Sequence, residues 1–265
     1  MKKFLQGLCG GAIIATLAGL IGLGGAEFRL PLLKSVFQLK TLKAVILNKA
    51  TSLVVVFFAL LFRSYEIPLE QLWEYKTIIF NLLFGSMIGA WLSAGFAMKI
   101  DEVLLDKFIF VLLLFLAGVL LLEHLYLDHN TTPLFETFYL QITAGVLAGF
   151  FIGAVASILG VAGGELLIPA IILLYGVDIK LAGSLSLAIS LPTMIIGFTR
   201  YTRSEAFIVL KEERNLFIAL AIGSLIGSAL GSAMLWIVSS DVLILLLSLI
   251  LVISAYKSFH HQKKH

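Results

Sequence analysis

The sequence predicts an all-α membrane protein with about ten hydrophobic segments, arranged in two inverted five-segment repeats whose helices break at glycine-rich turns. Three observations support this prediction. Of the 265 residues, 60% are apolar and 13% are charged, whereas about a quarter of the residues in a soluble domain are charged. Runs of roughly 20 apolar residues, long enough to cross a hydrocarbon core of about 30 Å as helices, recur along the chain. The two halves also align with each other.

The composition excludes several other classes of protein. Spanning strands would alternate in polarity, which residues 108–122 and 242–255 do not do. In a chain this apolar, the net charge of +3 reports membrane orientation rather than a nucleic acid partner. The histidines fall at predicted membrane edges or in the C-terminal tail, and no segment pairs a nucleophile with a base. We therefore predict neither an enzyme nor a bound cofactor or metal.

The repeat is carried by residue types that apolar segments do not share by chance. Gly7 corresponds to Gly145, which lies 138 positions later, and the register then holds without a gap over about 80 residues. The further pairs include Gly11 and Gly149, Gly22 and Gly160, Gly25 and Gly163, Glu27 and Glu165, Pro31 and Pro169, Ser52 and Ser190, Glu74 and Glu212, and Gly85 and Gly223. We therefore predict a duplicated fold, with residues 1–130 as the first transmembrane repeat and residues 139–258 as the second.

Each repeat contains five hydrophobic segments. In the first repeat they lie near residues 4–22, 28–39, 44–62, 77–98 and 104–123, and in the second near residues 140–159, 166–177, 182–199, 214–237 and 241–257. The second segment of each repeat has about 12 residues, against the roughly 20 that a spanning helix needs. We therefore expect each of these short segments to make half a crossing.

Basic residues predict the orientation of the segments. With a cytoplasmic N-terminus and ten segments that all change sides, fourteen lysines and arginines lie in inner connections and three in outer ones. A re-entrant path for the short segments would move the lysines between positions 34 and 43 outside, against the positive-inside tendency. Because five is an odd number, the two repeats have opposite orientations. Both termini, including the tail at residues 259–265, are then cytoplasmic in a bacterial-type inner membrane.

Two glycine-rich stretches interrupt the apolar pattern at equivalent positions. The first reads GLGGAEFRLP over residues 22–31, and the second reads GVAGGELLIP over residues 160–169. Glycine tolerates backbone angles closed to other residues, so both stretches can unwind a helix and start the short second segment. The N–H groups at such a start attract anions. This predicts a site for a compact oxyanion formed by Gly22, Gly24, Gly25, Ala26, Glu27, Gly160, Gly163, Gly164 and Glu165. Close helix packing is the competing interpretation.

Polar residues on the third segments extend this candidate binding site. Asn48 and Ser52 are one helical turn apart, and Ser186 and Ser190 repeat the arrangement in the second half. We expect both pairs to face the gap between the turns, with hydrogen-bonded helix pairing as the alternative role. Pro192 is expected to kink its helix because it has no backbone N–H to donate.

Glu27 and Glu165 place one carboxylate inside the membrane in each repeat, at a cost of roughly 2.5 to 3.5 kcal/mol on insertion scales. Such residues usually mark a transport pathway or a proton relay. A carboxyl group that is protonated when the anion binds would couple anion transport to proton transport. Both glutamates are therefore candidates for proton coupling. Helix capping is the alternative. Arg29 has Leu167 as its counterpart, so its role belongs to one repeat only. That role is attraction of the anion, a position at the lipid edge, or helix pairing.

A glycine-rich turn followed by a short helix with an internal proline, present in both halves, resembles the TauE/SafE family of sulfite and organosulfonate transporters. The likeness covers essentially the whole chain and follows a pattern close to G-x-G-G-G-x-x-x-x-P, from which Ala26 and Ala162 depart. The resemblance implies a permease for sulfite or an organosulfonate, and the two glutamates make protons a candidate coupling ion. A carrier of another small organic anion and a passive anion channel are the alternatives. The sequence leaves the substrate, the transport direction and the oligomeric state open.

Overall fold

The computed structural model describes residues 2–96, 111, 114–115, 117–118, 121, 133–135, 137–159, 161–199 and 203–261. These residues form helices joined by turns and short loops, and none of them lies in a strand. The helices are α1 (Lys2–Ile21), α2 (Ala26–Ser35), α3 (Thr41–Arg63), α4 (Leu69–Glu74), α5 (Lys76–Phe96), α6 (Phe138–Leu159), α7 (Gly164–Tyr175), α8 (Ile179–Thr199), α9 (Arg203–Glu212), α10 (Arg214–Ala233) and α11 (Ser240–His261). The all-helical prediction is confirmed for this part of the chain.

Six of the described helices contain an apolar stretch long enough to cross a membrane, so the chain is a multi-pass membrane protein. The stretches are Lys2–Ile21, Lys43–Arg63, Lys76–Ser93, Phe138–Ser157, Ile179–Thr199 and Arg214–Ala233. In contrast, α2 and α7 have 10 and 12 residues, or about 15 and 18 Å at 1.5 Å per residue, which is too short for a core of about 30 Å. The predicted segment near residues 104–123 lies largely outside the described residues, so the count of ten segments stays a prediction.

The two repeats pack against each other reciprocally. The first helix of each repeat lies along the helix of the fourth predicted segment of the other repeat, as α1 along α10 and α6 along α5. A Cβ atom added at Gly11 on α1 would lie 2.7 Å from the carbonyl oxygen of Leu220. At the equivalent position on α6, a Cβ atom added at Gly149 would lie 2.3 Å from the carbonyl oxygen of Leu82. Each repeat thus uses the same surface, as a two-fold relation requires, and glycines allow the close approach of the backbones.

Two short helices, α4 and α9, were not among the predicted segments. They end at the equivalent residues Glu74 and Glu212, shortly before α5 and α10, the helices of the fourth predicted segments. Each buries apolar surface against the bundle, through Leu72 on α4 and Val209 on α9. The hydrophobic pattern does not reveal them, because their polar residues interrupt every apolar run.

The helices of the third predicted segments, α3 and α8, lie at the centre of the fold. They contact each other, and each contacts the short helix of its own repeat, α2 or α7. Most of α8 is buried, including its polar residues Ser184, Ser186 and Ser190. A helix that is buried on nearly all sides is typical of the core of a bundle. The side chains of α3 and α8 are therefore the ones placed to contact the glycine turns.

Candidate functional site

Both short helices begin at the glycine-rich turns, in agreement with the prediction. Gly25 immediately precedes α2 with a φ of 65°, and Gly163 immediately precedes α7 with a φ of 79°. Gly22, which follows α1, has a φ of 99°. Residues with a Cβ atom rarely adopt these left-handed angles, so the glycines permit the backbone path that breaks each helix. Gly160 lies outside the described residues.

The two turns are in contact at equivalent positions of the repeat. A Cβ atom added at Gly24 would lie 2.2 Å from Cβ of Ala162, which is its own counterpart. A Cβ atom added at Gly164 would lie 3.2 Å from Cα of Leu23 and 3.3 Å from the carbonyl oxygen of Gly22. Residues that contact their own counterparts lie close to the two-fold axis that relates the repeats. The turns therefore meet at the centre of the fold, and only one of positions 24 and 162 has room for a methyl group.

The turns present backbone donors that have no backbone acceptor among the residues the structure describes. Within the described residues, the amides of Gly24 and Gly25 donate no backbone hydrogen bond, and neither do the equivalent amides of Ala162 and Gly163. The first N–H groups of α2 and α7 also have no intrahelical acceptor, as at any helix start. Two helix N-termini thus bring donors and partial positive charge to the same region.

The polar residues of the third helices hold these turns in place. Asn48 Nδ2 donates to the carbonyl oxygen of Ala26 at 3.1 Å, within the first repeat. Ser186 Oγ donates to the carbonyl oxygen of Gly22 at 2.7 Å and so links the second repeat to the first turn. Ser190 Oγ is buried and makes no hydrogen bond within the described residues. Asn48 and Ser186 therefore face the turns, as the sequence suggested.

Arg29 is buried beside the first turn. Its side chain is 0% exposed, Nη1 donates to Ser52 Oγ at 2.8 Å, and Nη2 lies 3.5 Å from the carbonyl oxygen of Gly24. The lipid-edge interpretation is therefore wrong, because the guanidinium links α2 to α3 inside the bundle. It also places a full positive charge next to the first turn, whereas its counterpart Leu167 leaves the second turn without one.

The two glutamates lie at the starts of the short helices. Glu165 is in the first turn of α7 and is 7% exposed, so its carboxyl group is shielded from solvent. The backbone of Glu27 occupies the equivalent position in α2, while its side chain lies outside what the structure describes. The partial positive charge of a helix N-terminus favours a carboxylate there. Helix capping and proton transfer are therefore both compatible with this placement.

Arg63 was assigned to an outer connection from the sequence, but it is the last residue of α3 and is fully buried. Its Nη1 donates to the carbonyl oxygens of Gly19 and Leu20, at 2.9 and 2.8 Å. Its Nε donates to Ser184 Oγ at 2.9 Å, and its Nη2 donates to the carbonyl oxygen of Lys180 at 2.5 Å. A cation at the C-terminus of α1 satisfies carbonyl groups that lack intrahelical donors. Arg63 thus ties the first repeat to α8 of the second.

The Arg63→Met variant is expected to be less stable than the wild type by about 2 kcal/mol or more, because several buried acceptors lose a charged donor. The measurement is the thermal unfolding midpoint of the detergent-solubilised protein. Lys180→Met is the control, since it keeps the backbone carbonyl that Arg63 contacts and should leave the midpoint unchanged. Equal midpoints for wild type and Arg63→Met would show that this network does not hold the repeats together.

Lys49 is a buried cation to which the sequence prediction assigned no role. Its side chain is 2% exposed and lines a cavity of about 10 Å³ together with Ser157, Thr193 and residues of the second turn, including Ala162. The signal available in the sequence was a lysine inside an apolar run, at a position where the second repeat has Leu187.

Comparison with known proteins agrees with these features. The family model described as Sulfite exporter TauE/SafE matches residues 7–258, a range that includes both glycine turns. A curated protein from Bacillus subtilis (strain 168), named "Probable membrane transporter protein YunE", is 26% identical over 266 residues, which cover 92% of each chain. No solved structure matches the chain. Because the family match extends over nearly the whole length, the chain belongs to the TauE/SafE sulfite exporter family of membrane transporters.

Proposed function

We propose that the protein is a secondary transporter that moves a small anion, sulfite or an organosulfonate, across the cell inner membrane. Membership of the family supports the transporter role. The observation that carries the anion site is the contact of the two glycine turns at equivalent positions, where two helix N-termini and unpaired backbone donors come together. Such an arrangement favours negative charge.

The proposed site consists of the turn residues together with the polar residues of α3 and α8. The turn amides donate to the oxyanion, and the buried guanidinium of Arg29 offsets its charge. Asn48 and Ser186 fix the turns through the carbonyl oxygens of Ala26 and Gly22, so these bonds do not use the turn amides. Ser190 Oγ, buried without a hydrogen bond in the described structure, is a further donor for the anion.

Alternating access is the proposed transport mechanism. The reciprocal packing of the repeats supports an inverted five-plus-five architecture, in which the substrate site lies between the repeats near the bilayer midplane. α3 contacts the second repeat at both ends, through Arg63 at its C-terminus and through an ion pair between Lys43 and Glu212 near its N-terminus. A carrier has to break such end contacts in turn, so that each side of the site opens separately.

Proton coupling through Glu27 and Glu165 completes the proposal. A carboxylate beside a bound anion repels it, whereas a protonated carboxyl group donates a hydrogen bond. The burial of Glu165 and its place in the first turn of α7 support this role. Uptake of the anion together with a proton would then leave both groups uncharged or paired during the crossing.

A passive anion channel is less well supported than a carrier. A channel requires a continuous wet pore, but the turns are in contact and the cavity beside Lys49 has about 10 Å³, about the space of one water molecule. A carrier for another organic anion would use the same site chemistry. Only a comparison of substrates distinguishes it from a sulfite or organosulfonate carrier.

The proposed function is tested by flux into proteoliposomes that contain the purified protein. Labelled sulfite, sulfoacetate and thiosulfate are supplied outside, with and without an imposed pH gradient. We expect uptake of at least one of these anions, accelerated by the gradient and absent from protein-free vesicles. An uptake rate that does not depend on the pH gradient would contradict proton coupling. The absence of uptake for every sulfur anion tested would contradict the proposed substrate class.

The proposed topology predicts the labelling of single cysteines in intact cells. In a Cys9→Ser background, cysteines introduced at Lys40 and Arg203 should be shielded from a membrane-impermeant thiol reagent added outside, because both positions are cytoplasmic. A cysteine at Asn130, between the repeats, should react. Permeabilised cells provide the control, in which all three cysteines should be labelled. Labelling at Lys40 in intact cells would favour a re-entrant path for α2 and contradict ten crossings.

A further inference from the structure

Lys49 lies at the depth of the glycine turns. Its neighbour Asn48 donates to the carbonyl oxygen of Ala26 in the first turn, and Lys49 itself lines a cavity that includes Val161 and Ala162 of the second turn. A lysine that is 2% exposed within a spanning helix is costly for the fold, and charged residues placed this way mark ion or substrate pathways.

Two polar atoms converge on one point of this cavity. A Cβ atom added at Gly197 on α8 would lie 3.1 Å from Lys49 Nζ and 3.6 Å from Ser157 Oγ. Ser157 is 5% exposed, and its hydroxyl makes no hydrogen bond within the described residues. Thr193 lies one helical turn before Gly197 and also lines the cavity, but its hydroxyl already donates to the carbonyl oxygen of Ile189 at 2.9 Å and is paired with Ser86 Oγ at 2.7 Å. The absence of a side chain at Gly197 therefore leaves the ammonium and an unpaired hydroxyl facing the same small space.

The symmetry-related place in the fold has no comparable polar groups. The counterparts of Lys49, Ser157, Thr193 and Gly197 are Leu187, Gly19, Val55 and Ala59, none of which carries a polar side chain. Leu187 is 1% exposed and packs in an apolar cluster with Val56 and Ala59. An apolar side chain thus fills this place well. The cation and the hydroxyl groups around Lys49 are therefore not needed for packing alone.

We propose that Lys49 and Ser157, in the cavity that Thr193 also lines, form a binding subsite for one small oxyanion, a sulfite ion or the sulfonate head of a larger molecule, beside the second glycine turn. The ligand class rests on the proposed function. In this subsite Lys49 Nζ supplies the positive charge that the second turn lacks because Leu167 replaces the arginine of the first turn. Each turn then has one buried cation next to it, Arg29 at the first and Lys49 at the second.

The size of the cavity adds a requirement for movement. A volume of about 10 Å³ accommodates about one water molecule, so a sulfite ion enters only when α6 and α8 separate from α3. The subsite is therefore closed in this structure and opens with the relative movement of the repeats that transport requires. Gly197 and Ala162 line the part of the wall where added volume would obstruct entry.

Binding is tested first, by thermal shift of the detergent-solubilised full-length protein with sulfite, sulfate, thiosulfate or sulfoacetate. We expect at least one of these anions to stabilise the wild type. In Lys49→Met the dissociation constant should rise about 30-fold or more, because the anion loses its charged partner, and in Ser157→Ala about ten-fold, because one hydrogen bond to a charged group is lost. Lys49→Arg, which keeps the charge, should retain much of the binding.

Matched variants separate this role from effects on folding. Leu187→Met changes the counterpart of Lys49 in the second repeat and should bind as the wild type does. Gly197→Ala adds a methyl group 3.1 Å from Lys49 Nζ, which the flexible lysine tolerates by moving, so the variant should fold and bind the anion more weakly. If Lys49→Met fails to fold, Ser157→Ala and Gly197→Ala still decide the result.

The outcomes distinguish the subsite from the proposed function. Wild-type binding affinity in Lys49→Met, in Ser157→Ala and in Gly197→Ala would overturn the subsite, as would the absence of any anion binding by the wild type. Anion binding that depends on Lys49, without flux into proteoliposomes, would leave the subsite standing and overturn the proposed transport.

Discussion

Gly24→Ala is expected to abolish transport, and the addition of Ala162→Gly is expected to restore it. The new Cβ atom would lie 2.2 Å from Cβ of Ala162, far inside the usual contact of about 3.5 to 4.0 Å, so the two turns have to separate. Overpacking of this kind costs about 1 to 3 kcal/mol. Gly24 has no positive φ, so alanine there strains no backbone, and the double variant only moves the methyl group across the two-fold relation.

Uptake into proteoliposomes and the thermal unfolding midpoint are measured together for the single and double variants. Gly118→Ala is the matched control, because a Cβ atom at Gly118 meets no atom of the described residues within 4 Å, and it should behave as the wild type does. Full activity of Gly24→Ala, or a double variant as inactive as the single one, would show that contact between the turns does not govern the site.

Replacing Glu165 or Glu27 by glutamine is expected to stop uptake driven by a pH gradient while exchange of internal for external anion continues. Glutamine resembles the protonated carboxyl group in shape and can donate a hydrogen bond, but it cannot release a proton. The carrier can then bind its substrate and complete exchange, which needs no change of protonation. Because Arg29 and Leu167 make the two turns unequal, one of the two substitutions is allowed to have a smaller effect.

Glu70→Gln is the control for these variants, since Glu70 is an exposed acidic residue in the first turn of α4. It should retain both gradient-driven uptake and exchange. If Glu27→Gln, Glu165→Gln and the double variant all keep full gradient-driven uptake, the glutamates act as helix caps and the transporter is not coupled to protons through them.

The positions of the helix breaks could be predicted from the sequence because they depend on local backbone chemistry. Glycine is the residue that adopts positive φ without strain, and Gly25 and Gly163 do so immediately before the short helices. The repeat then identified equivalent positions, and the contact of Gly24 with Ala162 explains one departure from the family pattern. A second alanine at position 24 has no space, so one methyl group is the limit for this pair.

The buried basic residues could not be predicted in the same way, because their surroundings come from distant parts of the chain. Arg63 follows an apolar run, where an arginine usually marks a membrane edge, yet its partners lie on α1 and α8. Lys49 lies in the middle of α3, and its cavity is formed by helices of the other repeat. Only the packing of the repeats brings these groups together. The mismatch of Lys49 with Leu187 was the one local indication.

The central claim, that the protein is an anion carrier rather than a channel, is tested most directly by counterflow in proteoliposomes. Vesicles are loaded with unlabelled substrate anion, diluted into a trace of the labelled anion without any ion gradient, and followed over time. A carrier with alternating access should accumulate the label transiently above its external concentration and do so faster than empty vesicles. Label that only equilibrates, at a rate independent of the internal anion, would contradict the account.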